Sequence, residues 1–269
     1  MLGAVCGDIL GSTYEIEMKE DVYLLHKDDH FTDDTVLTCA VAEWCLSYAH
    51  CELGDGEHMY LLAKLFKEYT MKYKNAYYGV NYIDWVMRYY VTGKIPKAPN
   101  SFGNGCAMRV SPIAYAFDTL EKVEYYAKLQ AKVTHDNSEA IRGACAIAAA
   151  TKMALDCNDK ECIKKYIEEK YFYDLSKNLD EIKMEDDEFS AICQITVPQA
   201  IIAFLNGNDY EDTIFKAISI GGDCDTVAAM AGSIAYAYWK KIPIRILEHC
   251  RKIMSEQMRQ LVMDFEKRF

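Results

Sequence analysis

What this sequence has little of excludes several classes of protein. Only 5 of its 269 residues are proline and 51% are hydrophobic, a composition unlike that of disordered or collagen-like chains. Apolar runs such as 227–239 are shorter than the roughly 18–20 residues that a membrane-spanning helix needs. Lysine and arginine number 30 against 41 aspartates and glutamates, and nucleic-acid binding depends largely on basic side chains. We therefore predict that neither a membrane nor a nucleic acid is its partner.

The cysteines do not form the pattern of a disulfide-bonded domain. There are 11 of them, no C-x-x-C occurs, and the chain is far longer than the small secreted domains that are rich in disulfides. The first residues show neither the basic stretch of a secretory signal nor the glycine at the second position that N-myristoylation requires. We predict reduced, mostly buried thiols and a cytoplasmic protein.

The periodicity of the hydrophobic residues is helical, and convincing alternating strand patterns are absent. From Leu37 to Tyr48, large apolar side chains recur at helical spacing on one face. The small residues of 143–150 let helix backbones approach closely, which predicts a central helix there. Pro198 suits the first turn of a helix. The predicted helices cover residues 36–48, 59–73, 138–155, 198–205, 210–219, 226–240 and 244–269. We predict an all-α fold, a single compact orthogonal domain of about ten or more helices over residues 1–269.

A polar segment with two glycines runs from Gly7 to Glu15, with the sequence GDILGSTYE. Glycine in a helix interior costs about 1 kcal/mol relative to alanine, so these residues would make a poor helix. The segment is interpreted as a surface turn that ends at Glu15.

Two clusters of oxygen-bearing side chains each precede a predicted helix. The first consists of Thr32, Asp33 and Asp34. Thr32 suits a helix N-cap, and two carboxylates in the first turn complement the helix dipole. The same residues also offer the hard oxygen ligands that Mg²⁺ or Mn²⁺ prefers. Both interpretations stay open on this pattern alone.

The second cluster consists of Asp223, Asp225 and Thr226, and it follows the glycine pair 221–222. A capped turn accounts for one of the two aspartates but not for both. A calcium EF-hand is excluded, because the sixth position counted from Asp223 is Ala228 rather than glycine. Two acidic clusters of this kind indicate one shared cation site between helix N-termini.

The loop from Asn100 to Arg109, NSFGNGCAMR, has the composition of a phosphate-binding loop. It matches neither G-x-x-x-x-G-K-[ST] nor G-x-G-x-x-G, but its backbone N–H groups could hold a diphosphate where a helix begins. Arg109 is expected either to contact phosphate or to form an internal ion pair. His135 is either a structural hydrogen-bonding group or part of the same site.

Taken in order, these segments resemble the ADP-ribosylglycohydrolase family, which includes enzymes that reverse ADP-ribosylation of arginine, of serine or of dinitrogenase reductase. The resemblance extends from Gly3 to Trp239. It is carried by the motifs GDxxGSxxE at 7–15, TDDT at 32–35, SFGNGxAMR at 101–109, TH at 134–135 and GGDxDTxAA at 221–229. The family fold is all-α, in agreement with the helical periodicity.

The resemblance implies two divalent metal ions, Mg²⁺ or Mn²⁺, between the two acidic clusters. The implied metal ligands are Thr32, Asp33, Asp34, Asp223, Asp225 and Thr226. The implied substrate-binding residues are Ser101, Phe102, Gly103, Asn104, Gly105 and His135. Within this set, Phe102 stands where an aromatic ring packs against ADP-ribose, and His135 stands near the distal ribose or phosphate. The resemblance further implies a monomer.

The implied reaction is hydrolysis of the glycosidic bond at C1″ of ADP-ribose in ADP-ribosylated proteins or small conjugates. Glu15, Asp33 and Asp34 are the candidates for the catalytic general acid or base. Glu15 matches a glutamate of the serine-type enzymes, which favours an O-linked substrate. Two alternatives remain open: a relative that binds ADP-ribose without turnover, and a metal-dependent phosphohydrolase that cuts the diphosphate.

Overall fold

A computed structural model describes residues 1–16, 22–156, 159–184 and 190–269. The α-helices are α1 (Leu2–Ile16), α2 (Asp33–Tyr48), α3 (Asp55–Lys72), α4 (Val80–Thr92), α5 (Gly105–Met108), α6 (Ser111–Ala116), α7 (Leu120–Lys132), α8 (Ser138–Asp156), α9 (Lys160–Tyr171), α10 (Cys193–Asn206), α11 (Tyr210–Ser219), α12 (Cys224–Trp239), α13 (Ile244–Ile253) and α14 (Glu256–Arg268). These described residues contain no β-strand, only an isolated bridge between Gly103 and Ile192. The all-α prediction is confirmed.

The segment interpreted as a surface turn is part of the buried helix α1, so that interpretation is wrong. α1 packs along α12 and places three glycines, spaced four residues apart, against it. A Cβ atom at Gly7 would lie 2.1 Å from Ala228 O, and one at Gly3 would lie 2.2 Å from Gly232 O. At this separation no side chain fits between the two backbones. The close packing of the helices therefore outweighs the low helix propensity of glycine.

Several other predicted boundaries differ from the structure by one to four residues, and two of them differ more. α10 begins at Cys193, whose N–H donates to Phe102 O at 3.0 Å, so Pro198 lies inside this helix rather than in its first turn. The predicted helix over 244–269 is two helices, because Ser255 starts α14 by accepting a hydrogen bond from Met258 N at 3.3 Å. α11 has the predicted bounds.

The small-residue helix α8 lies at the centre of the fold, as predicted. It packs against α5, α6, α7, α9, α10 and α12, and its alanines from 146 to 150 are buried. The N-terminal ends of α2 and α12 meet beside α1, which brings the two acidic clusters together.

The cysteines that the structure describes are all free, and all except Cys51 and Cys162 are buried, in agreement with the predicted reduced thiols. Within the described ranges, no helix has both the length and the apolar character needed to cross a bilayer.

Candidate metal centre and substrate cavity

Asp8 on α1 holds the start of α2 in place. Its Oδ1 atom accepts a hydrogen bond from Thr32 Oγ1 at 2.7 Å, and its Oδ2 atom accepts from the backbone N–H groups of Thr32 and Thr35 at 3.0 and 3.1 Å. Asp8 is absent from the predicted site residues, because residues of a surface turn are not expected to share one face with Glu15. On a helix, Asp8 and Glu15 lie two turns apart on the same face.

Thr32 caps α2, as the capping interpretation predicts. Its hydroxyl accepts from Asp34 N at 3.3 Å while it donates to Asp8, so the protein fixes the orientation of this oxygen. Asp33 and Asp34 occupy the first turn, where the helix dipole favours negative charge. Coordination of a metal by Thr32 stays a prediction.

Carboxylate oxygens converge in two groups where α2 and α12 begin. One group is Asp8, Asp34 and Asp225, and the other is Glu15, Asp223 and Asp225. Within each group, one oxygen of every residue lies within 4.8 Å of the others. Oxygens that bind one Mg²⁺ or Ca²⁺ ion, at about 2.0–2.6 Å each, have separations of this size or less. Because Asp225 belongs to both groups, the two potential cation sites are adjacent.

The Asp34 carboxylate fits a bound cation particularly well. Asp34 is 2% exposed, and its Oδ2 atom accepts a hydrogen bond from Thr226 Oγ1 at 3.1 Å. Its Oδ1 atom is buried and accepts no hydrogen bond. Buried polar atoms nearly always have a partner, and a divalent cation is one that a carboxylate oxygen accepts.

Burial and mutual repulsion raise the pKa of the carboxyl groups in both clusters. Burial is the larger cause for Asp34 and Asp225, and the charges of neighbouring aspartates add to it, so that each pKa lies well above its usual range. The same two causes raise the pKa of Glu15 to about 7. None of the ion pairs between described residues includes these carboxylates. Such a concentration of negative charge favours the binding of cations.

A cavity of about 410 Å³ opens above these carboxylates. Its wall includes Glu15, Asp33, Asp223, Asp225 and Thr226. Asp33 is only partly buried and belongs to neither group of three carboxylates, whereas Asp34 is buried and does not line the cavity. The two adjacent aspartates of the first cluster are therefore in different environments.

The loop predicted to bind substrate forms another part of the same wall. The lining residues from this region are Ser101, Gly103, Asn104, Gly105, Arg109 and His135. Within the loop, Ser101 Oγ accepts a hydrogen bond from Gly103 N at 3.1 Å. Asn104 N donates to Ala191 O at 2.9 Å, which connects the loop to the segment before α10. The structure thus brings the glycine loop, His135 and both acidic clusters to one cavity.

Phe102 and Arg109 lie in contrasting environments, and the packing of Phe102 against ADP-ribose stays a prediction. Phe102 is 46% exposed and does not line the cavity. Arg109 is fully buried and forms no ion pair with a described residue, so the ion-pair interpretation is wrong. Its guanidinium instead donates to Gln130 Oε1 and Thr134 Oγ1 at 2.9 and 2.7 Å, and it lies 4.1 Å from the centre of the Phe66 ring.

Known proteins resemble this sequence over much of its length. The family model for ADP-ribosylglycohydrolase matches residues 1–269. The ADP-ribosylhydrolase ARH3 of Gallus gallus is 29% identical in an alignment that covers 84% of this chain and 75% of that protein. The ADP-ribosylarginine hydrolase Tri1 of Pseudomonas putida is 24% identical over 265 residues, which cover 89% of this chain and 69% of that protein. A protein of Archaeoglobus fulgidus is 36% identical over 158 residues, and the match spans only 52% of that relative.

The fold is also that of a solved structure, an ADP-ribosylglycohydrolase-related protein complex. The TM-score is 0.72 at 24% sequence identity, and the match covers 99% of this chain and 95% of the other. At this identity the likeness shows the fold alone. Together with the family model, it establishes that the chain belongs to the ADP-ribosylglycohydrolase family.

Proposed function

We propose that this protein is a metal-dependent hydrolase that cleaves the glycosidic bond at C1″ of ADP-ribosylated proteins or small ADP-ribosyl conjugates and releases ADP-ribose. The observation that carries the proposal is the shared cavity. The two sets of three carboxylates share Asp225. Through Asp225, Asp223 and Glu15 they face the same cavity as the glycine loop 101–105. Cation ligands and a backbone suited to phosphate are thus within reach of one ligand.

Two divalent cations, Mg²⁺ or Mn²⁺, are the proposed cofactors. Asp34, Asp225, Asp223 and Glu15 offer oxygen atoms in the two groups, and oxygen-only donor sets suit these hard ions. The proposed ligand set also includes Thr32, Asp33 and Thr226. When bound, such cations polarise the hydroxyls of the ribose and a water molecule, and they balance the charge of the diphosphate.

The residues of the chain have separate tasks in the proposed reaction. Glu15 and Asp33 line the cavity, and each is placed to exchange a proton with water or with the leaving group. Asp34 lies beneath the cavity wall, which favours a role as cation ligand over a role as acid or base. The N–H groups of Ser101, Gly103 and Asn104 already donate within the protein. The other two N–H groups of the loop 101–105, those of Phe102 and Gly105, are therefore the proposed donors that orient the diphosphate and thereby the C1″ atom.

A panel of serine-linked, arginine-linked and acetylated ADP-ribose, assayed with and without Mg²⁺ or Mn²⁺, tests the proposal. We expect free ADP-ribose, identified by mass spectrometry, only in the presence of metal. Asp225→Asn should abolish it, whereas Asp118→Asn, at an exposed position, should not. Glu15 favours an O-linked substrate, so the serine conjugate is expected to react faster than the arginine conjugate.

The same assay separates the alternatives. AMP as the product would mean that the diphosphate is the bond attacked, as in a phosphohydrolase. Binding of ADP-ribose without any product from the whole panel would mean a silent binding protein. The cavity favours turnover, because Glu15 and Asp33 line it and can exchange protons there, while the buried Asp34 remains as a proposed cation ligand.

A further inference from the structure

Three buried polar residues connect the interior of the protein to the substrate cavity. Arg109 Nη2 donates a hydrogen bond to Thr134 Oγ1 at 2.7 Å, and this oxygen lies 2.9 Å from His135 Nδ1. Arg109 is 0% exposed, Thr134 is 2% exposed and His135 is 6% exposed, and all three form part of the cavity wall, with the His135 ring beside Gly103 and Gly105. The chain of contacts ends at a ring that a ligand can reach.

The direction of these hydrogen bonds follows from which groups can donate. A guanidinium only donates, so Thr134 Oγ1 accepts from Arg109. The hydroxyl of Thr134 then has one proton of its own, and leaving it without an acceptor inside the protein costs about 1–3 kcal/mol. His135 Nδ1 is the acceptor in contact with it. A neutral imidazole that accepts at Nδ1 carries its proton on Nε2.

Arg109 has no freedom to leave this arrangement. Its Nε atom donates to Gln130 Oε1 at 2.9 Å, and Gln130 Nε2 donates to Cys106 O at 2.7 Å, which fixes the orientation of the amide. The guanidinium also lies 4.1 Å from the centre of the Phe66 ring. Arg109, the first donor in this series of hydrogen bonds, is therefore held by Gln130 and by the Phe66 ring.

The Nε2 atom of His135 lies beside the loop that faces the ligand. A Cβ atom at Gly103 would lie 3.8 Å from Nε2, and one at Gly105 would lie 3.9 Å from it. The thiol of Cys106 also forms a hydrogen bond with the His135 ring. It donates its own proton to Ala140 O at 3.3 Å, and because sulfur is a weak acceptor, an oxygen atom of a ligand can replace it as the acceptor of a ring N–H. The Nε2–H group is thus available to an oxygen atom in the cavity.

We propose that Arg109 and Thr134 are positioning residues that keep neutral His135 in its Nε2–H form, so that the ring donates a hydrogen bond to a phosphate or ribose oxygen of bound ADP-ribose. The identity of the ligand rests on the proposed function. The position of the proton rests only on the hydrogen bonds of the free protein. None of the proposed metal ligands takes part in these hydrogen bonds, which separates the pathway from the metal site.

Nuclear magnetic resonance of protein labelled with ¹⁵N-histidine tests the position of the proton. The chain has 6 histidines, and the signals of His135 are assigned by their loss in His135→Gln. At pH 8 we expect the Nε2–H tautomer in the wild type and in Thr134→Ser, which keeps the hydroxyl. Thr134→Val keeps the shape without the hydroxyl, and its ring should show exchange between both tautomers. An Nδ1–H ring in the wild type, or an unchanged tautomer in Thr134→Val, overturns the proposal.

Calorimetric titration with ADP-ribose tests the consequence for binding. Thr134→Val should bind about threefold to tenfold more weakly than the wild type, as expected for one impaired hydrogen bond, and Thr134→Ser should bind within about twofold. Equal affinity of Thr134→Val and wild type contradicts the proposed role. If the wild type does not bind ADP-ribose with Mg²⁺ present, the proposed function fails, while the tautomer in the free protein still decides whether Thr134 positions the ring.

Discussion

The side chain of Asn104 joins the substrate loop to the acidic site. Its Nδ2 atom donates to Asp223 Oδ2 at 2.6 Å and to Thr196 Oγ1 at 3.1 Å, across 119 and 92 positions of the sequence. Both bonds are buried. A change at the glycine loop is therefore transmitted directly to a proposed cation ligand.

Asn104→Ala should weaken the binding of Mg²⁺ and of ADP-ribose together. The substitution leaves Asp223 without its neutral donor and releases the loop, and one buried hydrogen bond to a charged group contributes about 1.5–3 kcal/mol. We expect each affinity to fall about tenfold or more, measured by calorimetry with one ligand at a time. Asn206→Ala, which removes only a bond from Nδ2 to Ile202 O on α10, should leave both affinities unchanged. A loss of one affinity alone would argue against the coupling.

Mg²⁺ should raise the melting temperature of the protein, because the cation relieves the repulsion between the carboxylates of the two clusters. At 100 times the dissociation constant, a bound ligand stabilises by about 2.7 kcal/mol. For a chain of this size, each kcal/mol shifts the melting temperature by about 2–4 °C. Thermal unfolding with increasing MgCl₂ measures this shift.

Asp225→Asn provides the matched test of the same idea. Without metal, the variant should be at least as stable as the wild type, since one buried negative charge is removed. With Mg²⁺, most of the stabilisation should be lost. An equal response of variant and wild type to Mg²⁺ would place the cation elsewhere.

Gly7→Ala should unfold the protein at markedly lower denaturant concentration. The added methyl group would meet the backbone of α12 at 2.1 Å, so the two helices must separate. Overpacking of this kind costs about 1–3 kcal/mol or more. Urea unfolding followed by circular dichroism gives the value.

Gly56→Ala is the control that measures the effect of replacing a helical glycine by alanine where the added methyl group meets no other helix. Gly56 lies in α3, and a Cβ atom there meets nothing within 4 Å. Because alanine is the better helix former, this variant should be as stable as the wild type or more stable by up to about 1 kcal/mol. Equal effects of the two substitutions would show that the contact with α12 is unimportant.

His58 should make the stability of the protein depend on pH below about 6.5. Both ring nitrogens are buried without a hydrogen-bond partner, and the ring centre lies 5.4 Å from that of Trp44 and 5.6 Å from that of Tyr126. Burial lowers the pKa of His58, although Asp55 and Glu57 partly oppose it. The folded state thus disfavours the protonated ring.

The sign follows from the unfolded state, in which a histidine has a pKa of about 6.5. Below that value the unfolded chain binds more protons than the folded one. The free energy of unfolding therefore decreases as the pH is lowered, by at most about 1.4 kcal/mol per pH unit for this group. Urea unfolding at pH 8 and pH 5.5 measures the difference. His58→Phe should reduce this difference, whereas His50→Phe, at an exposed position, should not. An unchanged difference in His58→Phe would mean that another group is responsible.

The two acidic clusters could be predicted from the sequence because their geometry is local. Thr32 with Asp33 and Asp34, and Asp223 with Asp225, each lie within one turn at the beginning of a helix. A helix N-terminus collects carboxylates for electrostatic reasons that the sequence displays directly. The helical periodicity predicted the fold class for the same reason.

The remaining parts of the site depend on contacts between distant segments. The glycines of α1 recur every fourth residue, which would place them on one face of a helix, but only the contact with α12 makes glycine favourable there. The role of Asp8 follows from that helix. One of the two interpretations of the sequence pairs Arg109 with a carboxylate. In the structure its guanidinium instead donates to Gln130 and packs on the Phe66 ring. Such partners are selected by the packing of the whole chain.

The contact between α1 and α12 has a consequence for how the protein folds during synthesis. Asp8 lies in α1 and is made long before Asp225, which lies in the helix that begins at Cys224. A nascent chain shorter than this exposes the glycine-bearing face of α1 with nothing to cover it, and non-local contacts form slowly. The acidic site therefore assembles only after α12 has left the ribosome, so a chain that lacks α12 has neither of the two proposed cation sites.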